Sequence, residues 1–474
     1  MNTNQWKNQH LFWRAGFGPS IYNLEQLNEL GPASLYAALL KASDKKPAYL
    51  DVVDNAFKGL VMGIGEADQV NRRELSADEK KKLRQQSRED IKNLNLHWLD
   101  EMTGTGAQLR EKMAFFWHGH FACRNLNIYF QQLLLHTIRT NALGNFGDLL
   151  KEVSKSAAML NFLNNNQNRK DHPNENFARE VMELFTMGRG NYSETDIKEA
   201  ARAFTGWGAN LNGEFVFRRG QHDNGQKTFL GKTGNFTGDD ILDILLEQPA
   251  TAVLITRKMY RFYVNDQPDE QRVEWLAKRF YASGYEIKNL LQDIFTSDWF
   301  FNENNTGNRI KSPIELWVGI RRQLPFSLND EAVQLMFQKL LGQILFYPPN
   351  VAGWPGGKSW IDSSSLLFRM RLPQLLASNE GINVQPKQDD DLQMGNAVTH
   401  GRDFGAGIDW EGYSQKFAAT KREDLLPVLS RFLLQTSTLP DAAILLRHTN
   451  TASRQVFIPS LTINLMSSVE YQLC

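Results

Sequence analysis

The sequence predicts a mainly α protein, a large bundle-like assembly of helices with a small β-hairpin insertion, and three observations carry that prediction. Apolar residues recur at helical rather than alternating spacing along most of the chain. Capping signals bracket these segments. Only one stretch, 215–230, offers β-prone ends around a turn, at Asp223-Asn224-Gly225. At 474 residues the chain exceeds one ordinary core, since roughly 150 residues per domain is the usual scale. By composition it divides into an N-terminal helical lobe with a charged arm (1–100), a central helical core (101–345), and a C-terminal part (346–474). The last comprises a proline- and tryptophan-containing loop, a polar linker and closing helices.

Charge and cysteine content set early limits. Lysine plus arginine number 53, as do aspartate plus glutamate, so no net field favours a nucleic acid or an anionic membrane as partner. Two cysteines, Cys123 and Cys474, exclude a disulfide framework. No apolar run approaches the ~20 residues of a membrane span. The first residues, MNTNQWKNQHLFWRAGFG, lack the basic start, apolar core and small-residue cleavage site of a secretory signal. A cytoplasmic location is the expectation.

In chain order, HLFWRAGFG at 10–18 leads into a short helix from Ser20 to Leu30 that stops at Gly31-Pro32, and Ala33–Lys41 forms a second. Residues 66–92 are a charge run of alternating sign, which suits an exposed helix or arm and not a nucleic-acid-binding one. Leu94–Trp117 resumes helical spacing, with Leu109, Met113 and Phe116 on one face. Tyr129–Leu143 and Phe146–Leu163 follow. Beyond the hairpin, helices fill Asp239 to Phe301, Pro249 opening one, and then Pro313–Leu324 and Asn329–Gly342. Residues 345–362, LFYPPNVAGWPGGKSWID, hold three prolines, three glycines and two tryptophans, which forbids a regular helix and leaves aromatics in need of a surface. Ser363–Leu376 is helical, 378–415 is a long polar loop or linker, and helices over Lys421–Gln435, Pro440–Arg447 and Ser453–Met466 close the chain.

The stretch from Pro173 to Trp207 organises the rest. Asn174 caps one helix, Gly188 ends it in a left-handed residue, and Ser193 with Asp196 opens the next. Phe177, Ala178, Val181, Met182, Leu184 and Phe185 cover nearly half of the first helix. That predicts deep burial, with Phe177, Val181, Leu184 and Phe185 almost wholly enclosed. Asn176, Glu180, Glu183 and Met187 share one stripe of the same helix. Carboxylates so placed need a cation, a hydrogen-bond network or a metal. Arg179, four residues before Glu183, can neutralise it; Glu180 has no partner within its helix.

His118-Gly119-His120 is the sharpest local signal. On a continuous helix the two rings would point ~200° apart. If Gly119 ends the helix, extended backbone turns both to one side, where they can hold one cation. Phe115, Phe116, Trp117 and Phe121 would wall a pocket around them. Two imidazoles, an unpaired carboxylate and the His222-Asp223 pair suit iron, zinc or manganese. The reading is a divalent metal ion on His118, His120, Glu180 and His222. Glu183, held by Arg179, stands as general base and Asp223 orients His222. The 345–362 loop covers the site, packing Trp354 or Trp360 near the histidines. In the alternative, the histidines cap a helix end and the carboxylates pair with arginines. Gly231-Lys232-Thr233 is no phosphate-binding loop, because Gln226 stands where its first glycine is required.

HLFWRAGFG, EKMAFFWHGHF, NENFAREVMELFTMGRGNYSETDIKEAARAFTGW, HDNGQKTFLG, KSPIELWVG and LGQILFYPPNVAGWPGG, in that order, resemble the bacterial domain-of-unknown-function family numbered 1800. The resemblance extends through LMSSVEYQL and implies one architecture from residue 10 onward, with the three divisions as lobes. It implies no reaction. It does imply a partner, because relatives, many with export signals, are encoded beside a sulfatase- or phosphatase-like protein. The sequence departs from the family in showing no export signal. It also has Ser156-Ala157-Ala158 where relatives carry an acidic residue before Pro-Ala-Met-Leu, and Cys123 where a small hydroxyl residue is expected. Two functions follow: a metal-dependent oxidoreductase or hydrolase in a helical scaffold, or a non-catalytic helical partner that helps mature or dock the co-encoded protein.

Overall fold

Helical spacing of apolar residues becomes helix along most of the described residues, and the buried faces meet in one core cluster that runs from Leu11 to Tyr471. The computed structural model describes residues 3–53, 77–210, 212–378, 405–436 and 439–474. Five helices position the candidate site: Thr3–Ala15 (α1), Gln108–His120 (α2), Glu175–Glu180 (α3), Pro249–Tyr263 (α4) and Pro313–Gln323 (α5). Pro249 and Pro313 stand in the first turns of α4 and α5, where a missing N–H costs no helical bond. Ser312 and Glu315 cap α5 reciprocally. Among the described residues no helix is long and apolar enough to cross a membrane.

α2 is buried on every side, including at Arg110, Glu111 and Lys112. It does not stop at Gly119. The helix continues through His120, which overturns the expectation that Gly119 turns the chain into extended backbone. The physical reason is packing: Phe115, Phe116, Trp117 and Phe121 are all anchored in the core, so both sides of Gly119 are held in one helical register.

The organising helix pair keeps its predicted caps. Asn174 accepts from the Asn176 N–H, Gly188 sits at φ +81°, and Ser193 and Asp196 form a reciprocal capping box. Its middle differs. After α3 the chain runs as a π-helix over Val181–Thr186, with the Thr186 hydroxyl donating to the Val181 carbonyl. Widening the turn shifts the phase of every later residue. Phe177, Val181 and Phe185 are buried as expected, whereas Leu184 rotates to the rim and is only partly buried.

Three two-stranded antiparallel sheets occur among the described residues. Trp207–Ala209 (β1) pairs with Phe215–Phe217 (β2), Lys227–Phe229 (β3) with Lys232–Gly234 (β4), and Phe326–Leu328 (β5) with Ala406–Ile408 (β6). The predicted hairpin across Asp223–Gly225 is therefore two separate hairpins. β2 turns back onto β1, and β3 reverses through Leu230 and Gly231, both at positive φ, the backbone a two-residue hairpin demands. Asp223 closes a local turn onto the Gly225 N–H instead. β6 lies within the segment 378–415 expected to be linker; residues 379–404 of that segment, like 66–76 of the charge run, lie outside the described residues.

Buried bonds cross both composition boundaries. Gln9 donates to the carbonyls of Phe432 and Leu434 at 2.9 and 3.1 Å. Asn95 and Gln338 exchange side-chain hydrogen bonds at 2.9 and 2.6 Å.

Candidate functional site

A cleft of about 540 Å³ opens between α2, α4, the start of α5 and the loop 345–362. Phe115, Phe116 and Phe262 line one wall, and Trp354 and Trp360 the loop side. The loop is fixed to α2 at two points. The Phe346 N–H donates to His118 Nε2 at 3.2 Å, and a Cβ at Gly353 would meet the Gly119 carbonyl oxygen at 2.4 Å. Only glycine at 353 permits that approach. Phe346 itself is held at φ +68°, a strained backbone for a bulky residue, by ring contacts with Trp98 and His118. Trp354 lies 5.6 Å from the His118 ring, as the sequence predicts for this loop.

The cleft lining includes a hydrogen-bonded lysine and histidine. His120 lies 3.2 Å through Nε2 from the Phe185 carbonyl, which only accepts, so Nε2 carries the proton and Nδ1 is an acceptor. Lys258 Nζ donates to that Nδ1 at 3.1 Å and to the Leu184 carbonyl at 2.8 Å. The two carbonyls belong to the end of the π-helix, where carbonyls have no helical partner. Burial, and then the Lys258 charge, hold the His120 pKa well below the usual imidazole value. Burial also draws the Lys258 ammonium down to about 8. A neutral amine has two N–H groups, and both have acceptors here. The third position on Nζ is a lone pair or a third N–H, directed away from both acceptors in a residue that lines the cleft. Such an amine can take a proton from a bound molecule.

The same lining carries further charges. Arg261, Arg309 and Lys358 belong to it together with Asp266 and Glu315. Glu315 is already engaged: it accepts from Lys112 Nζ at 2.5 Å and from the Ser312 N–H at 2.8 Å. Those partners and Arg309 keep its carboxyl ionised far below the usual range in spite of burial. Arg309 is 8 % exposed, and its Nε and Nη1 have no hydrogen-bond partner. Its nearest carboxylate oxygens stand at 3.6 Å (Glu315) and 3.9 Å (Asp266).

The residues singled out in the sequence are distributed differently. His118 and His120 leave one helix toward different surroundings: His118 faces Trp98, Phe346 and Trp354, and His120 faces Phe185 and Lys258. Burial pushes His118 down to about 3, a neutral ring accepting one backbone hydrogen bond. Glu180 is half-buried, and its pKa is raised by burial and by Glu183. His222 lies against the Thr205 carbonyl at 2.9 Å through Nδ1 and against the Phe217 ring, so Asp223 does not orient it. Asp223 is held by Arg202 at 2.7 Å. Arg179 pairs with Glu175 and Glu194, not with Glu183. Glu183 instead meets Arg189 and the Tyr192 hydroxyl. The described residues contain no group of three or more His, Cys, Asp or Glu side chains placed to hold an ion. His118, His120, Glu180 and His222 form no such group. Cys123 is a free buried thiol, as expected.

Of the site residues, His120 and the loop tryptophans were readable from sequence. Lys258, Arg261 and Phe262 were not singled out, although their spacing on α4 is the i, i+3, i+4 pattern that places three side chains on one face. Arg309 and Glu315 stand within NRIKSPIELW, where the capping box of Ser312 and Glu315 hides a carboxylate that also binds Lys112.

Residues 10–473 match the model of a family described as a protein of unknown function, DUF1800. No curated protein matches the chain, and no solved structure does.

Proposed function

This chain belongs to the DUF1800 family of unknown function, and from that premise we propose that it is an enzyme that abstracts a proton from a small molecule held in the cleft, with Lys258 as the base. The observation that supports this reading is the proton inventory at Nζ: two acceptors in place, leaving one position on an amine whose residue lines the cleft. In the step, the Nζ lone pair takes the proton of a bound X–H group. The resulting ammonium keeps its bonds to His120 and Leu184, and its new N–H faces the anion produced. A pKa of about 8 leaves about a tenth of the lysine neutral near pH 7, close enough to the working pH for efficient general base catalysis.

Competitive labelling with trace acetic anhydride across pH, read by mass spectrometry at the Lys258 peptide, tests the assignment. The expected midpoint lies near 8; one at the ordinary lysine value of ~10.4 overturns it.

A second reading, the helical partner of a co-encoded sulfatase- or phosphatase-like protein, draws on another face. Around the helix Ala442–Arg447, Leu439 and Ile444 are 45 % and 57 % exposed, with Leu446 and Val456 also at the surface. Co-purification of the two proteins, lost in Ile444→Asp, is its test.

A further inference from the structure

The charges lining the cleft name its ligand, an inference that rests on the same cleft as the proposal above. Four cations line it, Lys258, Arg261, Arg309 and Lys358, against two carboxylates, Asp266 and Glu315. Glu315 is shared between Arg309 and Lys112, the latter at 2.5 Å from outside the lining, so the two carboxylates do not neutralise the four cations. A cationic ligand has no place in such a lining.

Arg309 sharpens the argument. Burying a guanidinium without hydrogen bonds is unfavourable, because its N–H groups have left water and found no acceptor. Here Nε and Nη1 lack acceptors, and the flanking carboxylate oxygens stand at 3.6 and 3.9 Å, beyond hydrogen-bonding reach. The guanidinium also stacks 5.2 Å from the Phe262 ring centre, which holds it in place beside the cleft. Nε and Nη1 are themselves closed off from solvent, so an anion in the cleft is drawn by the charge of Arg309 rather than by those two N–H groups. Arg261, on the same helix as Lys258 and three residues on, is exposed and can close on that anion.

The remaining surface decides what carries the charge. Five aromatic residues, Phe115, Phe116, Phe262, Trp354 and Trp360, share the lining, which a hydrated inorganic ion would leave uncovered and a flat organic skeleton would cover. The volume of about 540 Å³ holds on the order of 18 water-sized groups at ~30 Å³ each. We propose that the cleft binds a small aromatic or otherwise flat organic anion, its carboxylate or phosphate lodged against Arg309 and Arg261 and its body between the phenylalanines and the loop tryptophans.

Isothermal titration of the full chain tests this with four probes of one shape: 2-naphthoate, 2-naphthyl phosphate, 2-naphthylmethanol and 2-naphthylmethylamine. Inorganic phosphate serves as a fifth. The two anions should bind at least tenfold more tightly than the alcohol, the amine should not bind, and whichever anion binds better identifies carboxylate or phosphate as the natural group. Arg309→Gln and Arg261→Gln should each weaken the anions at least tenfold and leave the alcohol unchanged. Since Arg309→Gln alters a buried residue, Arg261→Gln at the surface keeps the test open if the first variant does not fold. Gly119→Leu, whose Cβ enters open space, should abolish all binding by filling the cleft. Equal binding of alcohol and anion, anion binding unaffected by Arg261→Gln, or inorganic phosphate binding as well as naphthyl phosphate overturns the proposal. The labelling of Lys258 separates this from the base assignment: a midpoint at the ordinary lysine value overturns the base, while the ranking of the naphthyl probes and the Arg261→Gln result alone decide the ligand.

Discussion

Two buried charge clusters touch α2, one closed and one open. In the closed one, Glu111 accepts from Arg139 through both carboxylate oxygens at 2.9 Å, from the Trp98 indole at 2.9 Å and from Arg110 Nε at 3.0 Å. Arg139 spends its remaining nitrogen on the Ala48 carbonyl at 2.7 Å. In the open one, one residue further along α2, Lys112 and Glu315 pair at 2.5 Å, but Arg309 beside them has two nitrogens without acceptors. Both clusters combine an arginine, a glutamate and aromatic rings, so residue type does not separate them. Satisfaction does. A complete network fixes the helix and needs nothing more, whereas an incomplete one that lines a cleft is where a ligand can contribute.

Removing each arginine gives the largest expected effect and the most direct way to break this contrast. Arg139→Met takes two of the four hydrogen bonds from the fully buried Glu111 carboxylate, leaving Arg110 and Trp98, and should destabilise by ~3–5 kcal/mol, the usual penalty for breaking a buried pair from one side. Arg309→Met leaves Glu315 with Lys112 and gives up ion-pair contacts at 3.6 and 3.9 Å. It should cost only ~1–2 kcal/mol. Urea unfolding of the two variants decides; equal losses would mean that Arg309 is as structural as Arg139.

The same contrast explains what was legible beforehand. Caps are local, so Asn174, Gly188, Ser193 and Asp196 could be placed from a few residues of context, and the apolar periods predicted a mainly helical chain. The cleft depends on partners that are far apart: His120 and Lys258 are separated by 138 positions, and Lys112 and Glu315 by 203. No spacing rule brings those together. The π-helix was invisible for another reason. Its sequence, VMELFT, is ordinary helix, and the wider turn is set by packing around Thr186 and by the two donors that reach the Leu184 and Phe185 carbonyls. That one misread turn misplaced Leu184. The His222-Asp223 reading failed because sequence neighbours need not face one another: their side chains go to Thr205 and Arg202.

A smaller effect separates the two histidines of α2 by pH. Burial draws His118 down to about 3, and His120 also lies well below its ordinary value. The unfolded chain therefore takes up protons from about pH 6.5 downward while the folded one does not. The stability these rings contribute is complete above that pH and is lost as pH falls toward 3. Each ring adds ~1.4 kcal/mol per pH unit to the slope. His118→Gln, whose amide oxygen can still accept from the Phe346 N–H, should flatten the slope between pH 6 and 5 by that amount in urea melts. His120 responds in a setting that includes the Lys258 cation, so its replacement should also shift the labelling of Lys258, which His118→Gln leaves unchanged.

The smallest effect concerns the glycine between them. Gly119 sits inside a helix, where glycine is less favourable than alanine by roughly 0.5–1 kcal/mol because the unfolded chain has more freedom to lose. Its backbone is helical, so nothing in its own φ requires glycine. An added Cβ would have no heavy atom within 4 Å outside its own helix. The close approach to the loop is made by the Gly119 carbonyl and is protected by Gly353, not by the missing side chain of Gly119. Alanine at 119 should therefore raise the unfolding free energy by ~0.5–1 kcal/mol. What a Cβ would occupy is space in the cleft itself, since Gly119 is part of its lining. The stabilised variant should then bind 2-naphthoate more weakly than the parent chain. A gain in stability with loss of binding assigns Gly119 to the cleft. If alanine lowers stability, the contact between the loop and α2 tolerates no change at 119 and the residue is structural.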